Sequence, residues 1–234
     1  MRLMTSVVWI ALCGAVLGVA ACGDGGGNGG DAGTDSGTDT DVDTDADADA
    51  GADAGAEVDV LTDNPDPCET LGAIGPAPGE EGQWAAVRLV APVDVRLDTI
   101  RYVLMQQAGE LNCRVDIAHE FALFAGDGST IPPQEPEELM RVDVAPEPLE
   151  IDGPLEISLE AAAPFELAAG EEVFLAISME GAYPDVLCWQ ICFDDMTPNG
   201  SWWGAATEPP YPWATLESYA ISGDIMGEID VTPL

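Results

Sequence analysis

Residues 68–234 predict an all-β domain, a two-layer β-sandwich of jelly-roll-like form. Three observations lead there. Apolar runs of strand length are separated by Gly, Pro and Asp. Several of those runs alternate apolar and polar residues with period two. No stretch carries apolar positions at helical spacing opposite a polar face.

The chain opens differently. Arg2 is followed by the apolar run Val7-Val8-Trp9-Ile10-Ala11-Leu12 and then by Val19-Ala20-Ala21-Cys22. A positive start, a short apolar core and small residues before a cut are the parts of a secretory signal. An uncleaved anchor needs about 20 apolar residues, and this run is near that limit.

Val19-Ala20-Ala21-Cys22 resembles the lipobox of bacterial lipoproteins. The resemblance implies that residues 1–21 are removed and that Cys22 receives a diacylglyceryl group and becomes the new N-terminus. It further implies a palmitate-type acyl chain on its amine. Gly23 stands where an Asp would imply inner-membrane retention, so the implied location is the outer membrane of a bacterial envelope. Two or more acyl chains suffice for stable anchoring.

Residues 22–67 read as that anchor cysteine and a disordered tether, Gly-rich at first and Asp-rich after Thr34. Fourteen acids and no aromatic residue lie in it. Too little apolar surface is present to offset chain entropy. A neutral coil of this length spans about 35–40 Å, and repulsion among the Asp residues extends it. Asp43-x-Asp45-x-Asp47-x-Asp49 resembles an EF-hand loop. From Asp45, however, the sixth position is Ala50 where that loop needs Gly, and the twelfth is Ala56 where it needs Glu. The tether is read as a spacer.

Strands are expected at 84–90, 93–97, 100–105, 115–124, 139–144, 155–159, 172–179, 186–193, 219–222 and 225–231. Leu155-Glu156-Ile157-Ser158-Leu159-Glu160 is apolar on one face and acidic on the other. Val173-Phe174-Leu175-Ala176-Ile177 is apolar on both, as a central strand is. Asp127-Gly128 signals a hairpin after Phe121-Ala122-Leu123-Phe124. In pattern this domain is similar to accessory β-sandwiches of predicted deltaproteobacterial lipoproteins, a resemblance that carries no functional residues with it.

Charge excludes some functions. The chain holds 44 acidic residues against 6 arginines, for a net charge of −38; residues 68–234 alone carry −25. Such a field repels phosphates, so nucleic acid is not an expected partner. It also opposes lying flat on an anionic membrane.

Cys68, Cys113, Cys188 and Cys192 are the disulfide candidates, an even number in an exported domain, with three possible pairings. Cys188-Trp189-Gln190-Ile191-Cys192 has one residue too many for a thioredoxin-like motif. A zinc site fares no better with a single histidine. Along a strand, residues 188 and 192 lie about 13 Å apart, against about 5.5 Å between bridged Cα atoms. Either their partners lie elsewhere, such as Cys113 and Cys68, or residues 189–191 form a tight turn.

No catalytic set assembles, and the expectation is a non-enzymatic protein without a cofactor. His119 beside Glu120 is the only candidate general base, and no Gly-x-Ser-x-Gly elbow accompanies it. A histidine packed within a strand is its ordinary role. Asp194 and Asp195, before Thr197-Pro198-Asn199-Gly200, suit a calcium ion or an acidic turn.

Trp202, Trp203, Tyr211 and Trp213 cluster near the end of the chain. They are candidates to stack on a glycan or an envelope protein. Alternatively, and more ordinarily, they plug the sandwich. The functional expectation is a membrane-anchored surface or periplasmic lipoprotein whose sandwich recognises carbohydrate or an envelope protein. The alternatives are a lipid-anchored hydrolase using paired carboxylates and a structural envelope component.

Overall fold

The computed structural model describes residues 58–64, 68–109, 111–146, 153–194 and 200–234. Cys22 and Asp195 lie outside the described residues, as do residues 1–21 and most of the segment expected to be a tether. The described residues belong to one compact unit.

Sixteen strands are present among them: β1 (Val60–Thr62), β2 (Leu71–Ile74), β3 (Gln83–Val90), β4 (Val95–Gln106), β5 (Asn112–Arg114), β6 (His119–Ala125), β7 (Glu138–Val144), β8 (Gly153–Leu167), β9 (Glu172–Met179), β10 (Gly181–Ala182), β11 (Asp185–Leu187), β12 (Trp189–Cys192), β13 (Ser201–Gly204), β14 (Trp213–Thr215), β15 (Asp224–Ile225) and β16 (Gly227–Pro233). Two large antiparallel sheets pack face to face as a β-sandwich. One runs β14-β13-β3-β9-β6-β7. In the other, β1, β16, β4 and β8 are hydrogen-bonded in turn, and β12 meets β4 beyond the end of β16. A small sheet, β10-β11-β5, lies beside them.

The core follows from period-two alternation. Val87, Leu89, Phe121, Leu123, Leu175 and Ile177 of one sheet meet Leu97, Ile100, Tyr102, Leu104 and Ile229 of the other. All eight residues of β9 are buried, which is why it reads as apolar on both faces. Its outer side is covered as well. Trp84, Phe124, Phe174, Trp202 and Tyr211 form a second apolar cluster there.

Several expected boundaries move, each for a physical reason. The two strands expected at 93–97 and 100–105 are one strand, β4. Buried positions run Val95, Leu97 and then Ile100, Tyr102, Leu104. A bulge at Asp98 changes the phase without ending the strand, and the register shifts against both neighbours there. The strand expected at 115–124 starts at His119, because Asp116 folds back onto Arg114 (Oδ1 to Nε, 2.9 Å). The strand expected at 186–193 divides at Cys188, where the chain passes from the small sheet into a large one. Residues 219–222 are not a strand. Leu216–Tyr219 is a 3-10 turn capped by the Thr215 hydroxyl, and Ala220 ends it at φ 62°.

The sandwich also begins before Cys68. β1 pairs Val60 with Asp230 and Thr62 with Glu228, so residues expected in the tether belong to the sandwich. Val58-Asp59-Val60-Leu61 supplies the apolar contact, with Leu61 in the core. This pairing places Asp59 beside Val231, whose N–H donates to its carbonyl (2.9 Å). The chain therefore joins the domain at the end where β16 finishes.

Candidate binding cleft at one end of the sandwich

The four cysteines pair as Cys68–Cys192 and Cys113–Cys188, with Cα separations of 6.0 Å and 5.2 Å. The partners of residues 188 and 192 do lie elsewhere, and β12 stays extended between them. Cys68–Cys192 ties the segment before β2 to the end of β12. Cys113–Cys188 closes the small sheet onto the large one.

Asp194 lies next to the first bridge. Its Oδ2 accepts from the backbone N–H of Glu69 (2.6 Å) and Thr70 (2.7 Å). Those bonds, led by that of Thr70, hold its carboxyl below the usual carboxylate range. Among the described residues only Cys68, Cys192 and Asp194 converge at metal-ligand distance. The two sulfurs are bonded to each other, so no thiolate is available. Asp194 here fastens the Cys68 segment, and its calcium-candidate neighbour Asp195 lies outside the described residues.

The aromatic candidates are not gathered around a groove. Trp203 is 1 % exposed and points into the core between the sheets, its Nε1 donating to Gln83 Oε1 (2.5 Å). Trp202 (4 %) and Tyr211 (1 %) lie on the opposite face of the same sheet. Trp213 is half-buried against them and donates to the Pro133 carbonyl (3.0 Å). Arg141 covers Trp84, 5.0 Å from its ring centroid. Trp202, Trp203 and Tyr211 are therefore core, the more ordinary of the two roles open to them in the sequence, and are not placed as ligand contacts. Two tryptophans adjacent in a strand must face opposite ways, and here both faces are covered.

His119 is used up as well. Its Nδ1–H donates to the Ile117 carbonyl (3.1 Å) and its Nε2 accepts from the Tyr102 hydroxyl (2.7 Å). Burial pushes the imidazole below its ordinary pKa, opposed in part by the Ile117 bond. Burial also pushes the Tyr102 phenol up. Both groups are neutral and mutually satisfied.

A cleft of about 550 Å³ opens at the end where the chain joins the domain. Its walls are the β6–β7 hairpin loop at 125–128, the β8–β9 turn near Gly170, and the side chains of Leu139 and Phe165. At its base Arg88 Nε donates to Glu172 Oε2 (2.5 Å). Glu172 is 7 % exposed, and its Oε1, itself closed off from solvent, has no hydrogen-bond partner among the described residues. Space for that side chain exists because residue 126 is glycine. A Cβ there would meet Glu172 Cγ at 2.2 Å and its carbonyl oxygen at 2.8 Å. Asp127, Glu166 and Glu171 add three more carboxylates to the lining.

Sequence reasoning passed over these residues. Two signals were present: Arg88 is the single cation in the apolar run 84–90, and Glu172 is the single acid in β9. Their meeting depends on the β3–β9 register, which no local pattern reveals. No family of known proteins matches the chain, and no curated protein matches its sequence.

Proposed function

We propose that this chain is a lipoprotein of the bacterial envelope, fixed to the outer membrane through Cys22, whose sandwich is a non-enzymatic recognition module for carbohydrate or an envelope protein. The cleft with the Arg88–Glu172 pair carries this reading. It sets Leu139 and Phe165 beside the Arg88–Glu172 pair and three further carboxylates, at a volume usual for small-ligand sites. Loops at one end of a β-sandwich are a common place for such a site. The two disulfides support export to an oxidising compartment. An acidic tether suits a domain that an anionic membrane surface repels.

A glycan array and capture from envelope extracts test the reading. The expected result is a saturable ligand whose retention falls in Glu172→Gln. Silence in both assays contradicts it. Burial of Trp202, Trp203 and Tyr211 favours a second reading, a structural envelope component with no discrete ligand. Such a component would be silent in both assays yet required for envelope integrity.

A further inference from the structure

We propose that the open edge of β8, at residues 155–160, takes up a short extended segment of an envelope protein as an added β-strand of alternating apolar and basic residues. The inference rests on the recognition reading above and deepens it, naming a protein segment as the partner and a sheet edge as its place.

The second sheet stops at β8, which among the described residues is hydrogen-bonded to β4 alone. Burial falls away across that one ladder. Ile100, Tyr102 and Leu104 of β4 are fully buried. Their partners Leu159, Ile157 and Leu155 face the same core yet are only half-buried. Val142 of β7, the last strand of the opposite sheet, is half-buried as well, and β7 lies against β8. One more strand beside β8 supplies the cover that β4 receives from its own neighbours.

Met105 fixes which backbone groups face that edge. Its N–H donates to the Cys188 carbonyl (3.0 Å), on the side of β4 away from β8. Alternation along β4 then turns Ile100, Tyr102 and Leu104 toward β8, where Leu159, Ile157 and Leu155 meet their bonds. The N–H and C=O groups of Glu156, Ser158 and Glu160 therefore point outward. Pro154 agrees with this parity. It has no N–H, and a proline within a strand sits with that side at an open edge. Pro154 at one end, and the register shift between Glu160 and Phe165 at the other, confine the edge to residues 155–160.

Backbone and charge together select the occupant. An unpaired row of N–H and C=O groups beside an apolar seam is satisfied by an extended chain, with main-chain bonds giving affinity and alternate side chains specificity. Glu156 and Glu160 stand exposed beside the edge, in a domain of net charge −25. Glu156 receives only a long contact from the Ser158 hydroxyl (3.4 Å) among the side chains of β8. Basic residues at the outward positions of the added strand complement these glutamates, and apolar residues at the inward positions close the seam. A second copy of this chain is a poor occupant, because pairing two such edges sets glutamates against glutamates. So is the tether, which is Asp-rich and whose chain enters the sheet at β1, separated from β8 by β16 and β4.

The test pairs titration calorimetry with residue-resolved amide exchange on the full chain. The probe is the end-blocked peptide Lys-Val-Lys-Val-Lys-Val-Lys, at about 0.15 M salt to screen loose binding to the tether. One saturating event is expected. A peptide of the same composition with its lysines and valines in separate blocks should bind about tenfold more weakly or worse. The amides of Glu156, Ser158 and Glu160 should become slow only when the alternating peptide is bound, while those of Ile157 and Leu159 are slow throughout. Ser158→Pro deletes the central outward N–H without touching a bond to β4, and should weaken binding about tenfold or more. Glu217→Gln, exposed and away from β8, should change it by less than about twofold. Equal binding of the two peptides, a titration that never saturates, or protection that arises away from β8 overturns the proposal. Outward amides already slow in the free chain overturn it too, because the edge is then covered by this chain or by a second copy, which light scattering distinguishes. If Ser158→Pro fails to fold, the wild-type protection pattern decides. Failure with the peptide alongside capture that Glu172→Gln still weakens sinks this inference alone; silence in both sinks the recognition reading too.

Discussion

The Tyr102 hydroxyl, on β4 of one sheet, donates to Nε2 of His119, on β6 of the other, across 2.7 Å. The bond joins the two layers through the core, and the rings meet edge-on with centroids 5.8 Å apart. The Ile117 carbonyl fixes the tautomer that allows it.

This pair predicts a pH dependence. The folded-state pKa of His119 is depressed, so its contribution is complete above the unfolded value of about 6.5 and is lost as pH falls through the folded one. His119 is the only histidine. Stability should therefore decline as pH falls below about 6.5, at up to about 1.4 kcal/mol per pH unit. Urea midpoints for wild type and His119→Gln measure it. The variant should lack this slope.

Removing either bridge should destabilise the domain. Cys113→Ser with Cys188→Ser, or Cys68→Ser with Cys192→Ser, should each cost about 2–5 kcal/mol, because the bridges close long loops with separations of 75 and 124 residues. Denaturant melts of the paired variants, with mass mapping of non-reduced digests, give both the cost and the pairing.

The tryptophans should separate by burial. Trp203→Ala should cost about 3–5 kcal/mol, the range for a fully enclosed aromatic. Trp213→Ala, at a half-buried position, should cost less. Thermal or urea melts rank them. Comparable small losses, accompanied by loss of glycan binding, would return these residues to a ligand role.

Gly126→Ala should destabilise by about 1–3 kcal/mol, because its Cβ cannot avoid both Glu172 Cγ and the Glu172 carbonyl oxygen. Gly128→Ala is a useful comparison. No atom crowds its Cβ position, and strain arises there from φ +84° alone.

Much of the sandwich was legible in the sequence. Glu172–Met179 was found at its true limits, since an apolar run bounded by a turn leaves little freedom. Leu155–Leu159 is legible by alternation, although β8 continues well past it on the C-terminal side, to Leu167. What escaped was non-local. The bulge at Asp98 imitates a loop in a one-dimensional pattern. β1 and β2 are short, and each is a strand by virtue of a distant partner, β16 or β12. The aromatic cluster was visible as composition, but its burial depends on the loops that cover the outer face of β9. The cleft was least legible, because Arg88 and Glu172 are brought together only by register.

Metabolic labelling with palmitate, comparing wild type with Cys22→Ala, tests the central claim most directly. Wild type should incorporate label and fractionate with the outer membrane, and Cys22→Ala should incorporate none and retain residues 1–21. Label that persisted in Cys22→Ala, or its absence from the wild type, would contradict the account.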